Sequence, residues 1–216
     1  MDALVITPFS PINNNAGHRI RTRETIENLS RVGIINVDII YIPFEGEDAY
    51  SFASQAELRF APFIRDVYHY PFITSIGAPP ENGSYHSLDE WYDSGLDDFL
   101  LRLSRRKRYD LVMVHNVWLS KALAMFGEST IKCIETHDIF WMRGQEFEKI
   151  GIKPDFFSPQ EKDELYGLNR ADLLIAISYV EAQYFSQNFP NKKIIYQPPP
   201  VTVSYTHLTL PTNREV

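Results

Sequence analysis

Apolar, β-branched runs punctuate this chain, and each stops at a few polar residues where a helix can begin. They are Ala3 to Ile6 before Thr7-Pro8-Phe9-Ser10, Val37 to Ile42 before Pro43, Leu111 to Val114 before His115-Asn116, Ile131 to Ile134 before Glu135-Thr136-His137-Asp138, and Leu173 to Ile177 before Ser178. Short runs without polar alternation suit strands covered on both faces. They predict an α/β fold, a Rossmann-like parallel sheet with helices on both sides. Ligands of such open sheets lie outside the carboxyl ends of the strands, so the polar stops are expected to line one crevice.

The intervening segments read as follows. Pro11 to Gly17 is a turn-rich loop, and the segment from His18 to Arg31 carries Ile20, Ile26, Leu29 and Val32 at helical spacing, with Gly33 as the stop. Ala3 to Ile42 is then a β-loop-α-β unit, the building block of parallel sheets. The aromatic-rich stretch from Glu45 to Gly83 predicts a short helix after Ser54 and a strand near Val67 to Tyr70. Ser87-Leu88-Asp89-Glu90, Ser158-Pro159-Gln160-Glu161 and Ser178-Tyr179-Val180-Glu181 fit the capping box, in which a serine and the glutamate three residues on satisfy free amides reciprocally. Helices are therefore predicted over Leu88 to Ser104, Pro159 to Arg170 and Tyr179 to Phe189. Lys192 to Tyr196 is one more strand, ended by Pro198-Pro199-Pro200.

With 216 residues, of which 44% are hydrophobic, the chain can bury a full core as one large α/β domain. Its net charge of -7 argues against broad binding to nucleic acid. Arg102, Arg105, Arg106, Lys107 and Arg108 form a local basic run, read first as favourable charge at a helix C-terminus and second as a contact for anionic lipid headgroups. A single cysteine, Cys133, excludes an intramolecular disulfide and fits a reducing compartment. No apolar stretch approaches bilayer length, so the expectation is a cytoplasmic protein with at most peripheral membrane contact.

The last residues break the pattern. Val203-Ser204-Tyr205-Thr206-His207-Leu208-Thr209-Leu210-Pro211-Thr212 resembles, codon for codon, the translation of a transposase-type sequencing-library adapter. Residues 203–216 are accordingly expected to be a non-native tail, with the gene continuing beyond about Thr202.

The first loop, Ser10 to Arg19, lies between a strand and a helix, where backbone amides and the positive helix end favour a phosphate or diphosphate. It is neither G-x-G-x-x-G nor G-x-x-x-x-G-K-[ST], which speaks against a dinucleotide site or P-loop. His115 and His137 each follow a strand and are expected to point into the crevice. There they could donate to sugar hydroxyls or phosphate oxygens, handle a proton near neutral pH, or serve only to cap loops. A metal pair lacks a third ligand at recognisable spacing, so no metal is expected. Nothing pairs Cys133 with a base and no G-x-S-x-G elbow is present, which disfavours nucleophilic hydrolysis.

The ordered set of loop-Gly17-helix, YDLVMVHNVWLS, IKCIETHD and RADLLIAISYVEAQYF followed by KKIIYQPPPV resembles the amino-terminal domain of GT-B glycosyltransferases of the subfamily-4-like type. The likeness spans nearly all of residues 2–201. Where that family commonly has two adjacent glycines, this chain has Ala16-Gly17. The resemblance implies residues 1–202 as the acceptor-side half of a two-domain fold, with the carboxy-terminal nucleotide-sugar domain missing. It further implies retaining transfer from a nucleotide-sugar donor, used as co-substrate, to a saccharide, lipid-linked or small-molecule acceptor, with no obligatory metal or other cofactor. By position, His115 corresponds to a histidine near the transferred sugar and Gly17 to the phosphate-side loop. His18, Arg19, Asn116, His137, Asp138 and Ser178 are the other candidate substrate-binding residues. Glu135 is a carboxylate to which the family pattern gives no fixed role. Two alternatives stay open, a nucleotide-sugar epimerase of the same shape and a stand-alone Rossmann-like binding module. As an incomplete fragment the chain is expected to be inactive alone.

Overall fold

The computed structural model describes residues 1–12, 16–34, 36–43, 64–71, 87–152 and 158–198. The expected helix after Ser54, Asn13 to Asn15 of the first loop, Pro199-Pro200 and the tail at 203–216 lie outside those residues.

Among the described residues are seven strands, five of them at the apolar runs: β1 (Asp2–Thr7), β2 (Asn36–Tyr41), β3 (Ile64–His69), β4 (Leu111–His115), β5 (Ile131–Glu135), β6 (Leu173–Ala176) and β7 (Lys193–Tyr196), with β3 and β7 at the two strands expected near Val67 and Lys192. All neighbours pair in parallel in the order 3-2-1-4-5-6-7. That order reverses direction between β1 and β4, which makes their carboxyl ends the topological switch point of the sheet.

Alternation along each strand sorts the core onto two faces. On one face Ala3, Val5, Val37, Ile39, Met113 and Cys133 pack with Ile26 and Leu29 of helix α1 (Gly17–Arg31). On the other, Leu4, Ile6, Ile40, Val112, Val114 and Ile134 pack with Leu96, Leu100 and Leu103 of α2 (Gly95–Arg106). Gly33 closes α1 with a φ of 89°, a conformation that needs no Cβ.

The capping boxes divide. At Ser178 the box forms: its Oγ accepts from the Glu181 N–H at 3.1 Å, and the Glu181 carboxylate accepts from the Ile177 N–H at 2.8 Å. These start α5 (Tyr179–Asn188). At Ser87 no cap bond forms. The expected continuous helix is split into a 3-10 turn, Leu88–Trp91, and α2, because Asp93 takes the Gly95 N–H at 2.9 Å and the Tyr70 hydroxyl at 2.6 Å. At Ser158 the hydroxyl donates instead to the Phe140 carbonyl at 3.3 Å, and α4 begins at Glu161 and ends at Leu168. Two further elements lack a sequence signal, a 3-10 run over Val117–Met125 and helix α3 (Phe140–Lys149).

Helix α3 begins where it does because Glu164, on α4, accepts the Phe140 and Trp141 N–H groups at 3.0 and 2.9 Å. Glu164 is buried, and burial, aided by Asp138 and Glu181 and opposed by those two amides, pushes its carboxyl up to about 7. A carboxyl raised above its ordinary 4.5 adds stability that is fully present below about 4.5 and is lost as pH rises through about 7. We expect Glu164→Gln to remove roughly 3 kcal/mol of pH-dependent stability between pH 4.5 and 7. Parallel urea titrations of the two proteins would show it, and parallel stability–pH curves would refute it.

Candidate functional site

Strand parity decides where the polar stops go. Thr7, His115 and Glu135 end β1, β4 and β5 on the face covered by α1, so their side chains lie beneath that helix. Its Arg21, Thr22 and Thr25 are buried there in turn. Thr25 lies three residues past Thr22 and four past Arg21, the spacings that bring helix side chains together, and this side of α1 is polar where it crosses the strand ends and apolar further on, at Ile26 and Leu29.

The result is a closed polar network at the switch point. His115 Nδ1 lies 3.0 Å from Thr7 Oγ1 and 3.2 Å from Thr22 Oγ1. Both hydroxyls can donate onward to backbone carbonyls, Thr7 to Phe9 at 3.1 Å and Thr22 to His18 at 2.9 Å. With their protons so placed, the imidazole donates through Nδ1. His115 Nε2 sits 3.1 Å from Glu135 Oε2 in an ion-pair contact that is not aligned as a hydrogen bond. Glu135 also accepts from Thr25 Oγ1 at 2.8 and 3.0 Å and contacts Arg21 Nε at 2.5 Å. Arg21 Nη1 continues to the Gln197 carbonyl, 2.7 Å away, just past β7.

Burial opposes a charge on Glu135, yet the contact with His115 and the fields of His115, His137 and Arg21 outweigh it and hold the carboxyl down to about 2. His137 goes the other way. Burial is the main cause, opposed by Glu135, and the imidazole falls to about 3. Its ring packs 5.5 Å from that of His115 and 5.1 Å from that of Phe9, which in turn lies 4.4 Å from His18.

One atom each from His115, Glu135 and His137 falls within 4.8 Å of the others, so three metal-type donors do converge. The third donor absent from the sequence spacing is thus Glu135. Arg21 and Thr25 already occupy its carboxylate, and a divalent cation there would sit against a buried guanidinium. The set fits an ion-pair network better than a metal centre.

The other expected residues are distributed around this network. Gly17 opens α1, exposed, and a Cβ there would meet no protein atom within 4 Å. Arg19 is buried. Asn116 is buried immediately after His115, with neither amide atom hydrogen-bonded. Asp138 pairs with Arg143 at 3.1 Å, and Ser178 is the α5 cap. Arg21, Thr22 and Thr25 join the network without belonging to any motif in the sequence, and Glu135 joins it from a motif that gives it no fixed role. The available signal was the polar face of an otherwise core-packing helix.

The sequence matches no protein-family profile and no curated protein. Among solved structures, the fold is similar to sucrose-phosphate synthase from Thermosynechococcus elongatus, at 13% identity and a TM-score of 0.59, over 92% of this chain and 48% of that one. It is similar also to LpCGTa in complex with UDP, at 12% identity and a TM-score of 0.55, over 92% and 53% of the two chains. Phytolacca americana UGT2, complexed with UDP-2fluoro-glucose and pterostilbene, matches at 12% identity and a TM-score of 0.52, over 94% and 54%. The shared feature is the fold. This chain is a Rossmann-like α/β sheet that spans about half the length of those proteins. No helix among the described residues is long and apolar enough to cross a membrane.

Proposed function

We propose that the chain is the acceptor-side Rossmann-like domain of a two-domain GT-B glycosyltransferase, in which a second domain binds the nucleotide-sugar and transfer occurs across the crevice at the β1–β4 switch point. The observation that carries this reading is the buried Thr7–His115–Glu135–Arg21 network at that point, in a fold similar to about half of sucrose-phosphate synthase and of two proteins seen with UDP or a UDP-sugar. Ligands of open α/β sheets bind at switch points, and this one concentrates charge and hydrogen-bonding groups there.

In this reading the acceptor is a saccharide, a lipid-linked sugar or a small molecule, and no metal takes part. Gly17, His18 and Arg19 at the start of α1 face the phosphate side, while Asn116, His137, Asp138 and Ser178 border the acceptor. His115 acts from beneath, its ring held by Thr7 and Thr22 and set beside Glu135. As negative charge develops on the leaving group, a hydrogen-bond donor close by stabilises the transition state more than the ground state.

The test is to express the chain with the coding sequence that follows residue 202 and to measure transfer from UDP- and GDP-sugars. Transfer by that protein, with none from the 216-residue chain alone, is the expected result. Hydrogen bonds to charged groups are worth about 1.5 to 3 kcal/mol, so His115→Ala should lower the rate by roughly one to two orders of magnitude, measured well below the variant's melting temperature. An unchanged rate would remove His115 from the chemistry. A stop codon at the natural position of residue 203 would leave a binding module instead.

A further inference from the structure

We propose that Asn116 is a ligand-holding residue which, together with His137, recognises neighbouring neutral hydroxyls at the tip of β4 and selects them over a phosphate or carboxylate. The inference rests on the saccharide-transfer reading and narrows it to the group presented at this point.

Asn116 bears two costs at once. Its backbone has φ 71° and ψ 149°, and it is the only non-glycine residue with positive φ among those described. That region is essentially glycine's, because a Cβ crowds the neighbouring carbonyl there. The residue is 1% exposed, yet neither Oδ1 nor Nδ2 has a hydrogen-bond partner among the described residues. Buried amides are nearly always bonded, and leaving one unbonded forfeits its hydration without return. The backbone conformation itself does not depend on the amide. The Asn116 N–H donates to the Glu135 carbonyl at 3.0 Å, and its own carbonyl accepts from Leu119 at 3.4 Å. A glycine would make the same bonds without strain. What glycine lacks is the amide, so the amide is the reason for the residue.

The chemistry of the amide then selects the ligand. Oδ1 needs a donor and Nδ2 an acceptor, side by side. A phosphate or carboxylate oxygen only accepts, and would set lone pairs against Oδ1. Two adjacent hydroxyls each donate and accept, and satisfy both atoms. His137, two residues past the end of the neighbouring strand, has a buried Nε2 that is likewise without a partner. Burial keeps its imidazole far below the ordinary range, so it meets a ligand uncharged, able to donate at one nitrogen and accept at the other. The adjacent Arg21 is matched by Glu135, at 2.5 Å.

The experiment uses the 216-residue chain, labelled with nitrogen-15. The Asn116 side-chain amide is assigned by its disappearance in Asn116→Gly and followed while methyl glycosides of glucose, galactose and mannose, or dimethyl phosphate, whose oxygens only accept, are added. We expect the amide to shift with at least one glycoside and not with dimethyl phosphate. Asn116→Gly should bind that glycoside at least tenfold more weakly and melt about 2–4 °C higher, as relief of strain in a chain of this size implies. A lower melting temperature would show that the amide makes a structural bond and would overturn the proposal. So would a response to dimethyl phosphate but not to glycosides, which would leave Asn116 in a binding site of the opposite selectivity. Glycoside-induced shifts elsewhere with Asn116 silent would overturn this inference while the transfer reading stands. Silence of the whole spectrum toward every glycoside would count against both.

Discussion

Replacing Glu135 with alanine is expected to cost about 3–5 kcal/mol of folding stability, because it leaves a buried cation without its partner. Arg21 is 3% exposed and cannot turn to water, and in the same step Thr25 loses its acceptor and His115 its ion-pair contact. Urea unfolding at pH 7 measures the loss, and a cost below about 1 kcal/mol would mean that the network relaxes freely. The same group carries an acid signature. Its carboxyl is held at about 2, below the ordinary 4.5, so its contribution is present above about 4.5 and is lost as pH falls through about 2. The wild-type protein should therefore lose stability more steeply than the variant across that window, by roughly 3 kcal/mol in total. Glu135→Leu combined with Arg21→Met should recover most of the loss, since apolar replacement of both partners removes the unpaired charge.

Asp38→Ala is expected to cost about 3 kcal/mol at the opposite end of the sheet. Asp38 is fully buried on β2 and accepts from Arg65 Nε at 2.8 Å and Nη2 at 2.9 Å, from Lys107 Nζ at 2.9 Å and from the Tyr109 hydroxyl at 2.5 Å. Burial opposes the charge, but these four donors keep the carboxyl below its usual range. Its loss strands the buried Tyr109 hydroxyl, whereas Arg65 and Lys107 are partly exposed and retain Asp2 and Asp66 as partners. The cost should therefore fall at the low end of that for Glu135. Asp38→Asn, which keeps two positions for hydrogen bonds, should lose about half as much. Equal losses for alanine and asparagine would show that the charge alone matters. Lys107 belongs to this cluster, so the basic run at the end of α2 is divided, with Arg105 and Arg106 in the last helical turn and Lys107 turned onto the sheet.

Much of the fold was legible because parallel strands buried on both faces must be apolar throughout, and such runs stand out. Val112, Met113 and Val114 read as a strand without any knowledge of their neighbours. The Ser178 box was legible for the same reason, since all its partners lie within a few residues of one another. Ser87 and Ser158 carry the same letters, and there the local signal lost to distant groups. Tyr70 reaches Asp93, which starts α2 late, and Glu164 caps α3 from another helix. Helix α3 had no cap of its own to read, because its cap comes from that later segment.

By itself the sequence determined the strands, the parallel class of the sheet, the strand-to-helix handoffs after β1 and β6 and the residues that gather at one end. Periodicity and local hydrogen bonding suffice for these. Tertiary structure alone decided which of the gathered residues face one another. Thr25 and Glu135 are 110 positions apart, and their meeting depends on where α1 lies across β1, β4 and β5. That packing put His115 beneath a helix, made Glu135 the ionised centre of the network and left the Asn116 amide without a partner among the described residues. Long-range pairing of buried charges depends on geometry summed over the whole sheet, and no local stretch of sequence records it.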